Sequence, residues 1–346
     1  MIRGGTPASR GVAATTVLAL LLALTTAFFA VRASWWRPDG VPPGGLFGAE
    51  GKADAEAMVA RLCRGVMRRQ QPDGAFDPGE YTYEIERVSA TALATAALVT
   101  VQQAGDIAVP GLDGAVTRGL DYLKKKQVDT GLVGFPERKD RWSQVDATSA
   151  AILAFGLAGR PEDQEALARA VKALRRTARE RLRNGWTRGL AVMTVDALVE
   201  RGQGDVFGDD PYELVDIRDL KQAPREGPPQ TSDWNVAEVI CRVVRGLRKG
   251  VDPFPAELVR AILDEPAEWN YPSTDCAAWW MQSWLVARSG APEAGPWFQT
   301  MRTILAEEAT GKDDAVQGGW YANTVTQTSG AILALMTGLS PQVVAR

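Results

Sequence analysis

From residue 52 to residue 340 the chain repeats one theme six times: an amphipathic segment, a loop, and a second segment rich in Ala, Thr and Leu that stops at a glycine. The second segments read VSATALATAALVTVQQAG, VDATSAAILAFGLAG, TRGLAVMTVDALVERG, DWNVAEVICRVVRGLRKG, DCAAWWMQSWLVARSG and TQTSGAILALMTGL. Their closing glycines, Gly105, Gly159, Gly202, Gly250, Gly290 and Gly338, recur every 40 to 54 residues. A glycine just past the last periodic position ends a helix, because it takes the left-handed conformation without steric cost. First segments such as AEAMVARLCRGVMRRQ and QEALARAVKALRRTARERL carry charge along one face, whereas the second segments are nearly uncharged over their first ten or so positions. The second helices are therefore the buried ones. Six buried helices flanked by six partly exposed ones predict an all-α fold that closes most simply into an α/α toroid, with an open solenoid of the same hairpins as the alternative. No alternating β pattern competes with this reading.

Gly-aromatic steps mark the loops within the hairpins: Gly74-Ala75-Phe76, Gly134-Phe135, Gly185-Trp186, Trp269-Asn270-Tyr271 and Gly319-Trp320. The fourth hairpin lacks one, and a polar insertion over residues 203–232, with one short helix at most, runs in its place.

Composition removes whole classes of chemistry. The chain has no histidine, which excludes His-based general bases, Ser-His and Cys-His nucleophile pairs, and metal sites built on imidazole. Cys63, Cys241 and Cys276 stand far apart without a C-x-x-C, so neither a zinc knuckle nor a disulfide framework is indicated, although a single 241–276 bridge is open. A net charge of −3 with no sustained basic run gives no support to nucleic acid as a partner.

Residues 1–11 form a short tail, and residues 12–31 form twenty uncharged, mainly apolar positions, long enough as a helix to cross a bilayer. The run exceeds a signal-peptide core, no clean cleavage site follows, and Trp35-Trp36 sit where an interfacial belt would. The expectation is a single-pass transmembrane anchor held by membrane lipid. Arg3 and Arg10 against Arg32 and Arg37 point to an inside N-terminus and an exported body. The Pro/Gly stretch within residues 32–51 reads as a linker.

The stretches QQPDGAF, GLVGFPERKDRWSQVDATSAAILAF and VQGGWYANTVTQTSGAILAL resemble the repeats shared by squalene and oxidosqualene cyclases and by protein prenyltransferase β-subunits, a likeness that spans residues 52 to 340. The resemblance implies the toroid and directs attention to two acids. Bacterial squalene-hopene cyclases carry D-x-D-D-T-A, of which Gln144-Val145-Asp146-Ala147-Thr148-Ser149 keeps the central Asp, the proton donor in that family, and loses both flanking carboxylates. Oxidosqualene cyclases carry D-C-T-A-E, which Asp275-Cys276-Ala277-Ala278-Trp279 matches at Asp275, Cys276 and Ala278. On this resemblance Asp275, with Asp146, is the candidate general acid, and Trp279, Trp280, Trp284 and Cys276 are candidate cavity-lining residues. Trp280 and Trp284, four apart, share a helix face that could present π-electrons to a carbocation. The prenyltransferase zinc site needs a His that this chain lacks, so no metal and no cofactor is expected.

Each residue also has a plainer reading. Asp146, Asp233 and Asp275 stand at the first turn of second helices, where capping selects Asp. Buried aromatics dominate large cores, and Cys276 suits a small buried hydrophobe. Asp209-Asp210-Pro211-Tyr212-Glu213 imitates a D-D-x-x-E metal motif but reads as a solvated turn. Three functions follow: a binding or scaffold domain taking a protein, peptide or glycan at its mouth or rim, which the missing acids favour; a cyclase-like enzyme using Asp275 on an apolar small molecule; and a polysaccharide-cleaving enzyme, which needs paired carboxylates or a carboxylate facing an Arg. A closed apolar pocket, an open polar groove and a plugged centre would separate them.

Overall fold

The computed structural model describes residues 45–79, 84–134, 142–181, 185–208, 256–264, 269–271, 273–319 and 323–339, with positions 211, 240, 243 and 244 besides. The chain divides into two compact units, Met1–Pro42 and Pro43–Arg346, and every described residue belongs to the second.

Ten α-helices are described: α1 (Gly48–Arg68), α2 (Glu84–Ala104), α3 (Leu112–Lys125), α4 (Trp142–Ala158), α5 (Gln164–Arg181), α6 (Gly185–Glu200), α7 (Ala256–Asp264), α8 (Cys276–Ser289), α9 (Ala294–Ile304) and α10 (Thr324–Leu339). Among the described residues there is no strand, only three isolated β-bridges, so the fold is all-α. The described second helices are buried nearly all round, as with Thr91, Ala92, Ala94, Thr95, Ala96 and Ala97 of α2. The first helices bury one face, which on α1 is Ala55, Met58, Val59, Leu62, Cys63 and Val66. That three-and-four spacing places apolar groups on one side and leaves Arg61, Arg64 and Arg68 toward water.

Packing follows a regular rule. The second helices lie side by side in the order α6, α4, α2, α10, α8. Three first helices pack on the second helix of the hairpin before them: α3 on α2, α5 on α4, and α1 on α10, so the first described helix covers the last. Small side chains make this approach close. Gly330 of α10 faces the backbone of Cys276 and Ala277, where an added Cβ would lie 2.6 Å from the Ala277 nitrogen.

Three loops share one geometry. Gln70 bridges to Phe76, Gln127 to Val133 and Thr310 to Val316 as single antiparallel β-bridges. In each loop the bridged N–H donates to a threonine hydroxyl of the following second helix: Phe76 to Thr91 at 2.9 Å, Val133 to Thr148 at 2.9 Å and Val316 to Thr328 at 3.0 Å. Each threonine in turn donates to the carbonyl four residues earlier, at 2.6 Å in all three cases. The same loops reach the next first helix. The Gln70 amide donates to the Ala115 carbonyl of α3 and the Gln127 amide to the Ala166 carbonyl of α5, both at 2.8 Å. The turn residue is left-handed in each: Gly74 at φ +93°, Gly131 at +91° and Asp314 at +60°.

Several expectations are corrected. Gly131-Leu132-Val133, not Gly134-Phe135, is the counterpart of Gly74-Ala75-Phe76, because the threonine bond and not the aromatic sets the register. Gly185 opens α6 and does not sit in a loop, and Gly338 lies inside α10 against Phe47 and Phe298. Residues 45–51 are not part of a linker: Gly45–Phe47 is a 3-10 turn leading into α1, anchored by the Phe47 ring packed edge-on against Phe298 at 5.6 Å, and residues 32–44 lie outside the described residues. The expected single-pass transmembrane anchor with an exported body is contradicted, because no helix among the described residues is long and apolar enough to cross a membrane. The 12–31 segment that prompted them lies outside the described residues, as do Asp233, Cys241, Asp209 and Glu213.

Candidate functional site

Asp275 occupies the N-cap of α8. Its backbone is extended (φ −116°, ψ 108°), and its Oδ1 accepts the Ala277 N–H at 2.9 Å while its carbonyl accepts the Trp279 N–H at 3.1 Å. The next residue is held from the side: the Cys276 N–H donates to Gln327 Oε1 at 2.7 Å, and Gln327 Nε2 donates to the Thr274 carbonyl at 2.6 Å. One glutamine of α10 thus orients the whole start of α8. Free helix N–H groups favour a carboxylate over a carboxylic acid, the opposite of the apolar surround that keeps an acid poised to give up its proton.

Cys276 is a free thiol, fully buried, and burial together with the adjacent Asp275 pushes it well above the ordinary thiol range. A thiol so protonated is a packing group and not a nucleophile. Asp146 sits half-buried on α4, between Gln144 and Thr148.

The three tryptophans of α8 divide by helix face. Trp279 turns to Trp269, edge-on with ring centres 6.4 Å apart. Trp280 and Trp284, one turn apart, line a cavity together with Thr100 of α2, Leu153 and Leu157 of α4, and Leu333 of α10. Met193 and Ala197 of α6 complete the wall, with Arg201 just beyond that helix. All five described second helices therefore contribute to one spot. Trp279, Cys276, Asp275 and Asp146 are not among the lining residues.

The cavity measures about 20 Å³. A single water needs roughly 10–15 Å³ by that measure, and a pocket for a drug-sized ligand runs to about 300–1,000 Å³. Trp, Leu and Met side chains make up most of its wall.

Beside it lies a buried ion pair that the sequence did not signal. Arg288 of α8 donates to Asp196 of α6 at 2.7 Å, with the side chains 9% and 5% exposed. The Arg288 guanidinium also lies over the Trp284 ring, 4.4 Å from its centre, which fixes that indole against the cavity. Burial lowers the pKa of Arg201 from its ordinary value. The two partners are 92 residues apart, and only the packing of α6 near α8 brings them together. Both are too enclosed to face a polymer in a groove. No group of three His, Cys, Asp or Glu side chains among the described residues could hold a metal ion.

No family model, no curated protein and no solved structure matches the chain.

Proposed function

We propose that the second unit is a closed α/α toroid of the squalene cyclase and prenyltransferase repeat type that works as a binding or scaffold domain, not as a cyclase. The relation of α1 to α10, identical in kind to that of α3 to α2 and α5 to α4, supports closure. The observation that carries the functional reading is the cavity on which five second helices converge: at about 20 Å³ it is too small for an isoprenoid chain. The capping role of Asp275 adds to it, since the best-placed acid of the cyclase motif has its Oδ1 on a backbone N–H. Ligand contact then falls to the mouth and rim, with a protein, peptide or glycan as the partner class.

The test has two arms. Full-length protein incubated with squalene and with 2,3-oxidosqualene should yield no cyclised product by gas chromatography and mass spectrometry, and neither lipid should quench the fluorescence of Trp280 and Trp284. A product lost in Asp275→Asn would overturn the reading in favour of the cyclase. Peptide and glycan arrays probed with the same protein should show saturable binding to one class; silence on both would leave the scaffold reading without support and count against it.

A further inference from the structure

The three equivalent loops are not held alike. In the first two, the bonds of the loop to the next first helix end on neutral acceptors; the ion pairs nearby tie the first loop to its own second helix (Asp73 to Arg87, 3.1 Å) or are buried at the start of α5 (Lys124 to Asp163, 2.8 Å, with Asp163 1% exposed). Gln70 and Gln127 bridge to backbone carbonyls, Arg118 donates to Gln70 Oε1 at 2.6 Å, and Arg176 donates to the Thr130 carbonyl at 2.8 Å. In the last loop, which meets α1, the bridging glutamine is replaced by Thr310, whose hydroxyl turns back to the Leu305 carbonyl. The cross-contact is ionic instead. Arg61 pairs with Asp314 at 2.9 Å, Arg68 with Asp314 at 2.7 Å and Arg69 with Asp313 at 2.6 Å. On the other flank of α1, Arg302 of α9 pairs with Asp54 at 3.2 Å.

These pairs are accessible to solvent, with 53% of the Arg68 side chain and 24% of Asp314 exposed. The last loop also carries its turn on Asp314 at φ +60°, where the other two use glycine. A non-glycine residue in that region is strained, and Asp is among the few that tolerate it. Of the other charged groups of these elements, Lys52 pairs with Glu56 within α1, and Glu50, Arg64, Glu307, Glu308 and Lys312 form no ion pair with either aspartate.

We propose that the junction of the 310–316 loop with α1 is a salt-sensitive clasp, so that rising ionic strength frees α1 from the toroid while the two neutral junctions hold. This rests on the closed-toroid reading. Exposed ion pairs are each weak, but screening several at one junction shifts one local opening equilibrium while leaving charge-to-dipole contacts little changed.

Hydrogen exchange read by mass spectrometry on the full chain, in 20 mM and 1 M NaCl at fixed pH, tests it. At low salt, peptides of α1 and of residues 310–316 should be as protected as those of residues 70–76 and 127–133; fast exchange there at low salt would sink the closed toroid itself. At high salt, exchange in α1 and 310–316 should rise about tenfold and the other two loops less than twofold, from the usual worth of three to four exposed pairs. An equal response at all three junctions would overturn the clasp. The triple variant T310Q/D313T/D314G, which installs the pattern of the 127–133 loop and removes all three pairs, should lose the salt response while staying protected. D313N/D314N should exchange fast at both salt levels, and a retained salt response in either variant would refute the proposal.

Discussion

Replacing Asp163 by Asn should destabilise the fold, and should do so in a pH-dependent way. The Asp163 side chain is 1% exposed and accepts from Arg160 Nε at 2.6 Å, Arg160 Nη2 at 2.9 Å and Lys124 Nζ at 2.8 Å. Breaking a buried ion pair from one side typically costs about 3–5 kcal/mol. Here Arg160 and Lys124 are 20% and 28% exposed and can turn to water, and the Asn oxygen can still accept one bond, so about 2–3 kcal/mol is expected. For a unit spanning Pro43–Arg346, at about 2.1 cal/mol/K of unfolding entropy per residue, that lowers Tm by roughly 3–5 °C. Burial alone would raise the Asp163 carboxyl, but the hydrogen bonds and charges of Arg160 and Lys124 outweigh it and hold the group below the ordinary carboxylate value. A group depressed in the folded state contributes its stability above its unfolded pKa, and the contribution is lost as pH falls through the folded value. The wild type should therefore lose this part of its stability on acidification below about pH 4, while the variant, already without it, should show a flatter curve over the same range. Thermal melts followed by circular dichroism between pH 3 and pH 7 decide the matter. Equal Tm at pH 7, or parallel curves, would refute the argument, and the apolar replacement of all partners (K124M/R160M/D163L) should recover part of the loss.

Asp275→Asn should be nearly neutral and Asp275→Ala should cost about 1 kcal/mol in chemical denaturation, because Asn caps as well as Asp and Ala does not. Gly330→Ala should lower the denaturation midpoint by about 1–3 kcal/mol, since its Cβ would meet the Cys276–Ala277 backbone and force α8 from α10. Thr148→Val should cost about 1–3 kcal/mol by leaving the buried Val133 N–H without an acceptor, and Thr91→Val and Thr328→Val should match it within error if the three loops are equivalent. Thr148→Ser, which keeps the hydroxyl, should be milder in the same measurement.

The helices were legible because their signal is local and repeated. Ala, Thr and Leu without charge, closed by Gly105, Gly159, Gly202 and Gly290, locate the buried members, and all four glycines are left-handed. The loop register was not legible, since the eye catches Phe76 and Phe135 while the structure aligns Phe76 with Val133 through Thr91 and Thr148. That bond joins residues 15 apart and depends on a backbone N–H, which leaves no trace in side-chain pattern. Asp275 was correctly placed at a helix start, and its capping followed from residue type. The Asp196–Arg288 pair was invisible because helical periodicity says which face is buried but not which distant face it meets. Trp280, Trp284 and Trp279 illustrate the same limit, for their spacing separates two faces without revealing that one fronts a space no larger than a water.

The contact of α1 with α10 also has a consequence for how the protein is made. Synthesis delivers α1 first and α10 last, so the apolar stripe of Met58, Val59, Leu62 and Val66 waits for its partner until some 270 further residues have been added. By contrast, α3 and α5 find their covers, α2 and α4, already synthesised. A nascent chain stalled before residue 324 would display that stripe to any chaperone or neighbouring polypeptide, and completion of the C-terminus would be the event that conceals it.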